Sequence, residues 1–302
     1  MFNVIVDRIL TKLNTPQLQI GDNVSTRALA YADDIVLFSE SETGMQTLLD
    51  QLKSAAGQLG MLINGSKTKV MSFGLENDPL ISLDGAILEV VPNFKYLGSV
   101  ITGNTSAVSE EVDARIGKAS GVYANLRKCL WSRPEISIKT KVQVFKSMVL
   151  SVLLYGSECW TLRAEDLRKL EVFLSTRLRW MLNLRLTDRI SNAEVRRRCC
   201  GLQTIETIIR GNRLRWFGRV CRMDASRQPK AILNSTVPND WRISGRGGRK
   251  HWLQQVGDDP APLHLDVDYG GAAAQNRAQW KAILRDVVHA PTTRTTTLPY
   301  LR

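Results

Sequence analysis

The pattern of apolar and polar positions makes the first third of the chain β-prone. Phe2–Leu10 is typical of the end of a helix. Between Thr26 and Phe38, apolar residues flank an aspartate pair without strict alternation, which predicts a hairpin of strands covered on both faces. The dipeptide Asn64-Gly65 within residues 61–73 predicts a second hairpin. Residues 81–101 are again β-prone, with turns expected at Asp84-Gly85 and near Pro92.

Helical spacing of apolar residues appears once within this region and dominates from Glu110 onward. Residues 41–59 predict a helix with Thr43 as N-cap and Gly60 as the terminating residue. Beyond Glu110 one apolar stripe recurs at helical spacing, formed by Val112, Ile116, Ala119, Tyr123, Leu126 and Leu130. Further helices are predicted over residues 138–154, 164–182, 193–199 and 205–222. The pattern therefore predicts an α+β protein whose helices follow its strands.

Charge is distributed unevenly along the 302 residues. Residues 1–112 carry 7 Lys and Arg against 13 Asp and Glu, whereas the remainder carries 34 against 16. The segment from His251 onward is balanced, so the positive excess lies between Asp113 and Lys250. A basic block of this size indicates a polyanionic partner such as nucleic acid, and the alternative is a solvated helical surface.

Cysteine usage and hydropathy favour some protein classes over others. The five cysteines show neither the spacing of a disulfide framework nor that of a zinc knuckle, and we take them as small hydrophobic residues. The N-terminus lacks the pattern of a signal peptide, and the most apolar stretch, residues 148–154, is far shorter than a membrane span. We therefore expect a cytoplasmic or nuclear protein with no membrane partner.

The pair Asp33-Asp34 is the strongest chemical signal in the sequence. A tight hairpin turn would project both carboxylates from one end of a sheet, and Mg²⁺ prefers such hard oxygen ligands. Two such ions about 4 Å apart can activate an attacking hydroxyl and stabilise a leaving oxygen in phosphoryl transfer. The pattern therefore predicts a magnesium site at the edge of a sheet.

Several motifs in order resemble the reverse transcriptases of non-LTR (LINE-type) retrotransposons. LAYADDIVLFSES, from Leu29, is similar to their YxDD hairpin, and LGMLINGSKTKVMSF, from Leu59, to the motif that follows it. FKYLGSVIT, from Phe94, resembles the primer-grip hairpin. The likeness continues in LYGSECWTL, RLRWFGRVCRM, GRGGRKHWLQQVGDD and NRAQWKAIL, so that it covers nearly the whole chain.

This resemblance implies an architecture and a reaction. The architecture is a partial polymerase palm, an antiparallel sheet with a helix, followed by a mostly helical thumb and a basic helical C-terminal region. The expected segments are residues 1–108 for the palm, 109–163 for the thumb, 164–250 for a basic connection region, and 251–302 for a partly disordered tail. The reaction is nucleotidyl transfer from dNTPs to a primer 3′ end, with Mg²⁺ as cofactor and an RNA template paired in an RNA–DNA or DNA duplex.

The same resemblance assigns roles to individual residues. Asp33 would be the main metal ligand and Asp34 would assist it, while Lys67 would lie near the incoming triphosphate. The expected primer- and nucleotide-binding residues are Tyr31, Phe94, Tyr96, Leu97 and Gly98. Nucleic-acid contacts are expected from the basic residues Arg115, Lys118, Arg127, Lys128, Arg215, Arg219, Arg222, Arg246, Arg249 and Lys250.

Tryptophans lie close to several of these basic residues in the sequence. Trp216 and Phe217 could stack on bases, although amphipathic helices more often bury such residues. We expect the other tryptophans of the helical part to pack in the interior: Trp131, Trp160, Trp180, Trp252 and Trp280.

One part of the family's pattern does not match the chain. The polymerase site needs a third carboxylate from an upstream strand, and no acidic residue before Asp33 lies in a suitable strand, since Asp7 is in a helix and Asp22 in a loop. We therefore expect little or no polymerase activity from this chain alone, as for a fragment of an RNA-directed DNA polymerase. The alternatives are a non-catalytic basic nucleic-acid-binding protein derived from such an element, and a relic that folds poorly.

Overall fold

The computed structural model describes residues 2–21, 24–75, 77–102, 107–235, 252–258 and 267–289. The chain divides into two compact units. The first lies within Met1–Ala107 and Asp224–Gly245, and the second within Val108–Met223 and Arg246–Arg302. Mixed short strands and helices make this an α+β protein, as the sequence predicts. Among the helices described, none combines the length and apolarity needed to cross a membrane.

The first unit contains three helices and ten short strands within the described residues. The helices are α1 (Phe2–Leu10), α2 (Glu42–Gly57) and α9 (Gln228–Asn234). The strands are β1 (Leu18–Gly21), β2 (Val24–Thr26), β3 (Ala28–Tyr31), β4 (Asp34–Leu37), β5 (Lys69–Val70), β6 (Ser82–Leu83), β7 (Ala86–Ile87), β8 (Glu89–Val90), β9 (Asn93–Tyr96) and β10 (Ser99–Thr102). Antiparallel pairing joins β1–β2, β3–β4, β6–β7 and β9–β10, whereas β5 and β8 are parallel.

Helix α2 buries two apolar faces in two separate clusters of the first unit. One face places Leu48 and Leu52 against Ile9 and Leu13, together with partly buried residues of β3 and β4. Another face places Leu49 in a separate cluster with Ile81, Leu83 and Leu88. The helix therefore connects the β3–β4 hairpin to the strands that follow it.

The ends of α2 match the predicted bounds, although the N-cap differs. The cap is Ser41, whose hydroxyl accepts a hydrogen bond from the Gly44 backbone nitrogen at 3.1 Å, so the prediction of Thr43 is wrong. At the C-terminus Gly60 has a φ of 72°, as expected of the terminating glycine. The amides of Gly60 and Met61 donate to the carbonyls of Gly57 and Ala56, which is the Schellman pattern.

The hairpin predicted at Asn64-Gly65 is absent from the described structure of this region. The Asn64 side chain accepts hydrogen bonds from the Lys67 amide and the Ser66 hydroxyl, and its carbonyl accepts from the Thr68 amide. Asparagine therefore caps a single helical turn, because its short side chain competes for the backbone donors that a hairpin would use. Strand β5 follows this turn and pairs with β8 instead.

The second unit is helical, as predicted from the spacing of its apolar residues. Its elements are α3 (Ala107–Asn125), a π-helical turn Arg127–Trp131, α4 (Ile138–Val144), a π-helical stretch Phe145–Leu150, α5 (Ser151–Leu153), α6 (Ala164–Met181), α7 (Asn192–Arg198), α8 (Ile205–Cys221), α10 (Trp252–Asp258), α11 (Val267–Gln275) and α12 (Arg277–His289). Its main core joins α3, α4, α6, α7 and the start of α8. Phe145, Leu170 and Leu174 are fully buried there, next to the stripe of α3.

Helix α12 packs closely against α8. The Trp280 indole nitrogen donates to the Leu214 carbonyl at 3.0 Å, and its ring lies 5.9 Å from that of Phe217. Gly218 makes this approach possible, since a Cβ atom there would lie 2.1 Å from the indole nitrogen. Phe217 and Trp280 are thus core residues, while Trp216 is half-buried.

Candidate metal and nucleic-acid sites

The aspartate pair lies at the tip of the β3–β4 hairpin, as predicted. The register pairs Ala28 with Leu37 and ends with Tyr31 opposite Asp34, which leaves Ala32 and Asp33 as a two-residue turn. Ala32 has a φ of 54°, in the left-handed region that such tight hairpins require at their first turn position. Asp33 therefore projects from the turn itself and Asp34 from the first residue of β4.

The strands behind this tip are less buried than the sequence predicts. Leu29 is 39% exposed and Tyr31 is 64% exposed, whereas Ile35 and Leu37 pack against the cluster under α2. The prediction of coverage on both faces is wrong, because Leu29 and Tyr31 share a face whose side chains are exposed. One face of the hairpin contacts helices, and its other face is open.

Both carboxylates are exposed, and no cationic side chain among the described residues compensates them. In the described part of the chain, neither side chain makes an ion pair or a hydrogen bond. By contrast, Asp84 lies in the β6–β7 turn and pairs with Lys53 at 2.5 Å. The tip of the β3–β4 hairpin thus carries two neighbouring negative charges that are available to a cation.

The β9–β10 hairpin carries the residues predicted to bind the primer. Burial raises the pKa of Tyr96 above its ordinary value, and the charge of Asp34 acts in the same direction. Tyr96 and Phe94 are half-buried on β9. Leu97 and Gly98 form the turn, with φ values of 48° and 84° that match the primed hairpin turns. Both predicted motifs thus form tight hairpins with two-residue turns.

Lys67 belongs to the third motif. Its side chain is exposed in the turn capped by Asn64, and within the described residues no contact joins its ammonium group to Asp33 or Asp34. Its predicted position beside a triphosphate stays a prediction.

The predicted nucleic-acid-binding residues divide into three groups. Lys118, Arg127, Lys128, Arg215 and Arg219 are exposed on the second unit. Arg115 is only 5% exposed and pairs with Glu111, and the Arg222 guanidinium donates to the Ala274 carbonyl at 2.6 Å. The remaining three, Arg246, Arg249 and Lys250, lie outside the described residues. Burial makes Arg115 unsuited to a phosphate contact, and we leave it out of the proposed interface.

Comparison with protein families decides what the first unit is. The family model for reverse transcriptase (RNA-dependent DNA polymerase) matches residues 1–101, which include both hairpins and the turn of Lys67. Residues 1–101 are a reverse transcriptase region of the non-LTR retrotransposon type. The retrotransposon assignment comes from the relatives of the chain, which also extend past this region.

Three relatives illustrate that similarity. An uncharacterized transposon-derived protein of Caenorhabditis elegans is 24% identical over 268 residues, covering 85% of this chain and 94% of the relative. The Pol polyprotein of the type-2 retrotransposable element R2DM of Drosophila melanogaster is 34% identical over 79 residues, covering 26% and 7%. The RNA-directed DNA polymerase from the mobile element jockey, also of Drosophila melanogaster, is 22% identical over 197 residues, covering 58% and 21%. The chain thus spans a small part of these polymerases' length.

The reverse transcriptase family implies a divalent metal ion, and the β3–β4 hairpin supplies part of the ligand set that such an ion needs. The uncompensated oxygen atoms of Asp33 and Asp34 are the hard donors that such ions prefer. No group of three potential His, Cys, Asp or Glu ligands occurs in the described residues of the reverse transcriptase region or of the second unit. The pair can therefore supply two carboxylates, with water and substrate phosphates as the remaining ligands.

One feature of the second unit was assigned wrongly from the sequence. Trp180, predicted to pack in the interior, is 58% exposed at the end of α6. The Arg177 guanidinium lies 4.5 Å from its ring centroid. The signal was present, because residues three apart share one helix face and an arginine there indicates proximity to solvent.

Proposed function

We propose that this reverse transcriptase region binds Mg²⁺ through Asp33 and Asp34 and receives the primer 3′ end between the β3–β4 and β9–β10 hairpins. The observation that carries the proposal is the pair of exposed carboxylates at the tip of the β3–β4 hairpin, with which no cation of the described residues pairs. The family match supports it, since it covers both hairpins. The implied activity is that of an RNA-directed DNA polymerase acting on an RNA template, a primer and dNTPs.

The role of each residue follows from its place on the two hairpins. Asp33, in the turn, would be the main metal ligand, and Asp34 would assist it from the start of β4. The exposed ring of Tyr31 lies directly opposite Asp34, where it can pack under a nucleotide or the primer terminus. Tyr96, with its neighbours Phe94, Leu97 and Gly98, would position the primer, and the two adjacent positive φ values keep that turn narrow.

A divalent ion bound there would supply charge stabilisation for the hydroxyl and phosphate oxygens of nucleotidyl transfer. The contribution of the chain is geometric. The hairpin register fixes the two carboxylates, and Lys67 would serve as a proton donor to the leaving pyrophosphate once substrate is bound.

The proposal extends to the rest of the chain. We assign residues 1–108 to the palm, 109–163 to the thumb, 164–250 to the basic connection region and 251–302 to the tail. The exposed bases Lys118, Arg127 and Lys128 of the thumb would contact the template–primer duplex. Arg215 and Arg219 of α8 are exposed and would contact phosphates in the same way.

Iron-mediated cleavage tests the location of the metal. Fe²⁺ replaces Mg²⁺ in a complex with an RNA–DNA primer–template, and ascorbate and peroxide then generate radicals at the bound ion. We expect cuts confined to the nucleotides at the primer 3′ end, and we expect Asp33→Asn/Asp34→Asn to abolish them. Asp84→Asn is the matched control, because it removes a hairpin carboxylate from the same unit. Equal cleavage by the double variant would refute the proposal.

A primer-extension assay adds a second readout. Any dNTP incorporation by the wild-type chain with Mg²⁺ should disappear in Asp33→Ala. Incorporation that survives this substitution would show that another site performs the chemistry.

A second candidate function is non-catalytic binding of nucleic acid. It is favoured by the absence of a third carboxylate near the pair in the residues that the structure describes, and by the positive excess between Asp113 and Lys250. Under this alternative, binding would persist unchanged in Asp33→Asn/Asp34→Asn, with no metal-dependent cleavage in the wild type.

A further inference from the structure

An aromatic cage surrounds Arg177 in the second unit. The guanidinium carbon lies 4.5 Å from the ring centroid of Trp180, 5.0 Å from that of Phe173 and 5.2 Å from that of Tyr123. Phe173 and Tyr123 are buried, whereas Trp180 is 58% exposed. The cage therefore has two interior walls and one wall that faces solvent.

The charge of Arg177 is not compensated by a carboxylate. Its Nη2 donates to the Ser120 hydroxyl at 3.1 Å. Its Nε is buried without a hydrogen-bond partner, and no acidic side chain in the described part of the chain pairs with it. Arg127 lies four residues after Tyr123, just past the end of α3, and its exposed side chain adds a second cation to the surroundings. Burying a cation without a counterion is costly, and an arriving anion would offset that cost.

A second arginine in the same unit lies against an exposed aromatic ring, but its charge is compensated by a carboxylate. Tyr155 is 51% exposed, and the Arg115 guanidinium carbon lies 4.6 Å from its ring centroid. Arg115, however, forms an ion pair with the buried Glu111. The two pairs share exposure and cation–π geometry, but only the Trp180 pair has an uncompensated charge. The Tyr155 pair is consequently a matched control within the protein.

We infer that Trp180 is a stacking platform for an unpaired base of single-stranded nucleic acid, with Arg177 and Arg127 facing the adjacent phosphate. Every base has a π-face that can stack on an exposed indole, and the arginines supply the attraction for the backbone. A duplex does not suit this position, because its bases are already stacked on one another. The inference rests on the nucleic-acid binding of the proposed function, and it involves neither metal nor Asp33.

Two oligonucleotides of equal length and charge separate stacking from charge attraction. One is an oligothymidylate, and the other carries abasic sites throughout. We expect the wild-type chain to bind the first about tenfold more tightly, as the loss of one stacked base predicts. Trp180→Leu keeps apolar bulk but removes the π-face, so it should abolish this preference. Trp180→Phe should retain most of it.

The control variant Tyr155→Leu should retain the full preference of the wild type for thymidylate. An undiminished preference in Trp180→Leu would overturn the inference. Equal binding of both oligonucleotides by the wild type would also overturn it while leaving the proposed function intact. Failure of the wild type to bind either oligonucleotide would remove the nucleic-acid binding on which both proposals rest.

Discussion

Charge compensation distinguishes functional from structural ionic groups at the scale of single residues. Arg115 and Glu111 satisfy each other in the interior, and the exposed Asp84 has Lys53. In the residues that the structure describes, Asp33, Asp34 and Arg177 have no such ionic partner. A group held in place without a counterion is free to bind one from outside, and both proposed sites depend on this difference.

Tyr123 provides a test of the aromatic cage through pH. Its hydroxyl donates to the Arg177 carbonyl at 3.2 Å, and burial raises the pKa of the phenol to about 12, although Arg177 and Arg127 oppose the shift. In the unfolded chain the phenol ionises near the ordinary tyrosine pKa of 10.0. The folded state keeps the proton longer, so its stabilisation is complete below pH 10 and is lost as pH rises toward 12.

Tyr123→Phe removes this ionisable group. Urea unfolding of the wild type and the variant across that alkaline range should show a steeper loss of stability in the wild type. Parallel curves would show that Tyr123 does not titrate with folding.

Helix packing supplies the prediction at the scale of elements. Gly218→Ala would place a methyl group 2.1 Å from the Trp280 indole nitrogen, so α8 and α12 could not keep their approach. We expect a loss of about 3 kcal/mol in the free energy of unfolding, measured by urea denaturation.

Gly121 is the matched control for this prediction. It lies in α3 with nothing within 4 Å of an added Cβ. Alanine there should raise the free energy of unfolding by roughly 0.5–1 kcal/mol through helix propensity. A similar effect of both substitutions would contradict the packing described for α8 and α12.

Elements that depend on local periodicity could be predicted, whereas those that depend on competing contacts could not. The stripe from Val112 predicts α3, and the apolar flanks of the aspartate pair predict the β3–β4 hairpin. The hairpin predicted at Asn64-Gly65 does not form, because the Asn64 side chain accepts a hydrogen bond from the Lys67 backbone amide. The exposure of Trp180 was missed, although Arg177 on the same helix face indicated proximity to solvent.

At the scale of the whole molecule, the N-terminal and central parts of the sequence have opposite net charge. Residues 1–112 carry an excess of acidic groups, and the basic excess lies between Asp113 and Lys250. The acidic part contains the hairpin proposed to bind metal, and the basic part contains the residues proposed to contact nucleic acid. Affinity for nucleic acid should accordingly fall as salt increases, since phosphate contacts release counterions.

Arg215 and Arg219 allow this division to be tested. Replacing each by alanine should lower the slope of log affinity against log salt by about one unit, measured with an RNA–DNA duplex. Arg197→Ala is the control, because the exposed Arg197 is paired with Glu194 at 2.6 Å and should contribute little. Equal slopes in all variants would show that α8 does not contact phosphates.

Binding of Mn²⁺ in the absence of nucleic acid tests the aspartate pair most directly, because free and bound ion are distinguished by electron paramagnetic resonance. The wild type and Asp84→Asn should bind the ion alike, and Asp33→Asn/Asp34→Asn should lose the bound signal. If the double variant binds Mn²⁺ as well as the wild type does, the two exposed carboxylates of the β3–β4 hairpin are not a metal site.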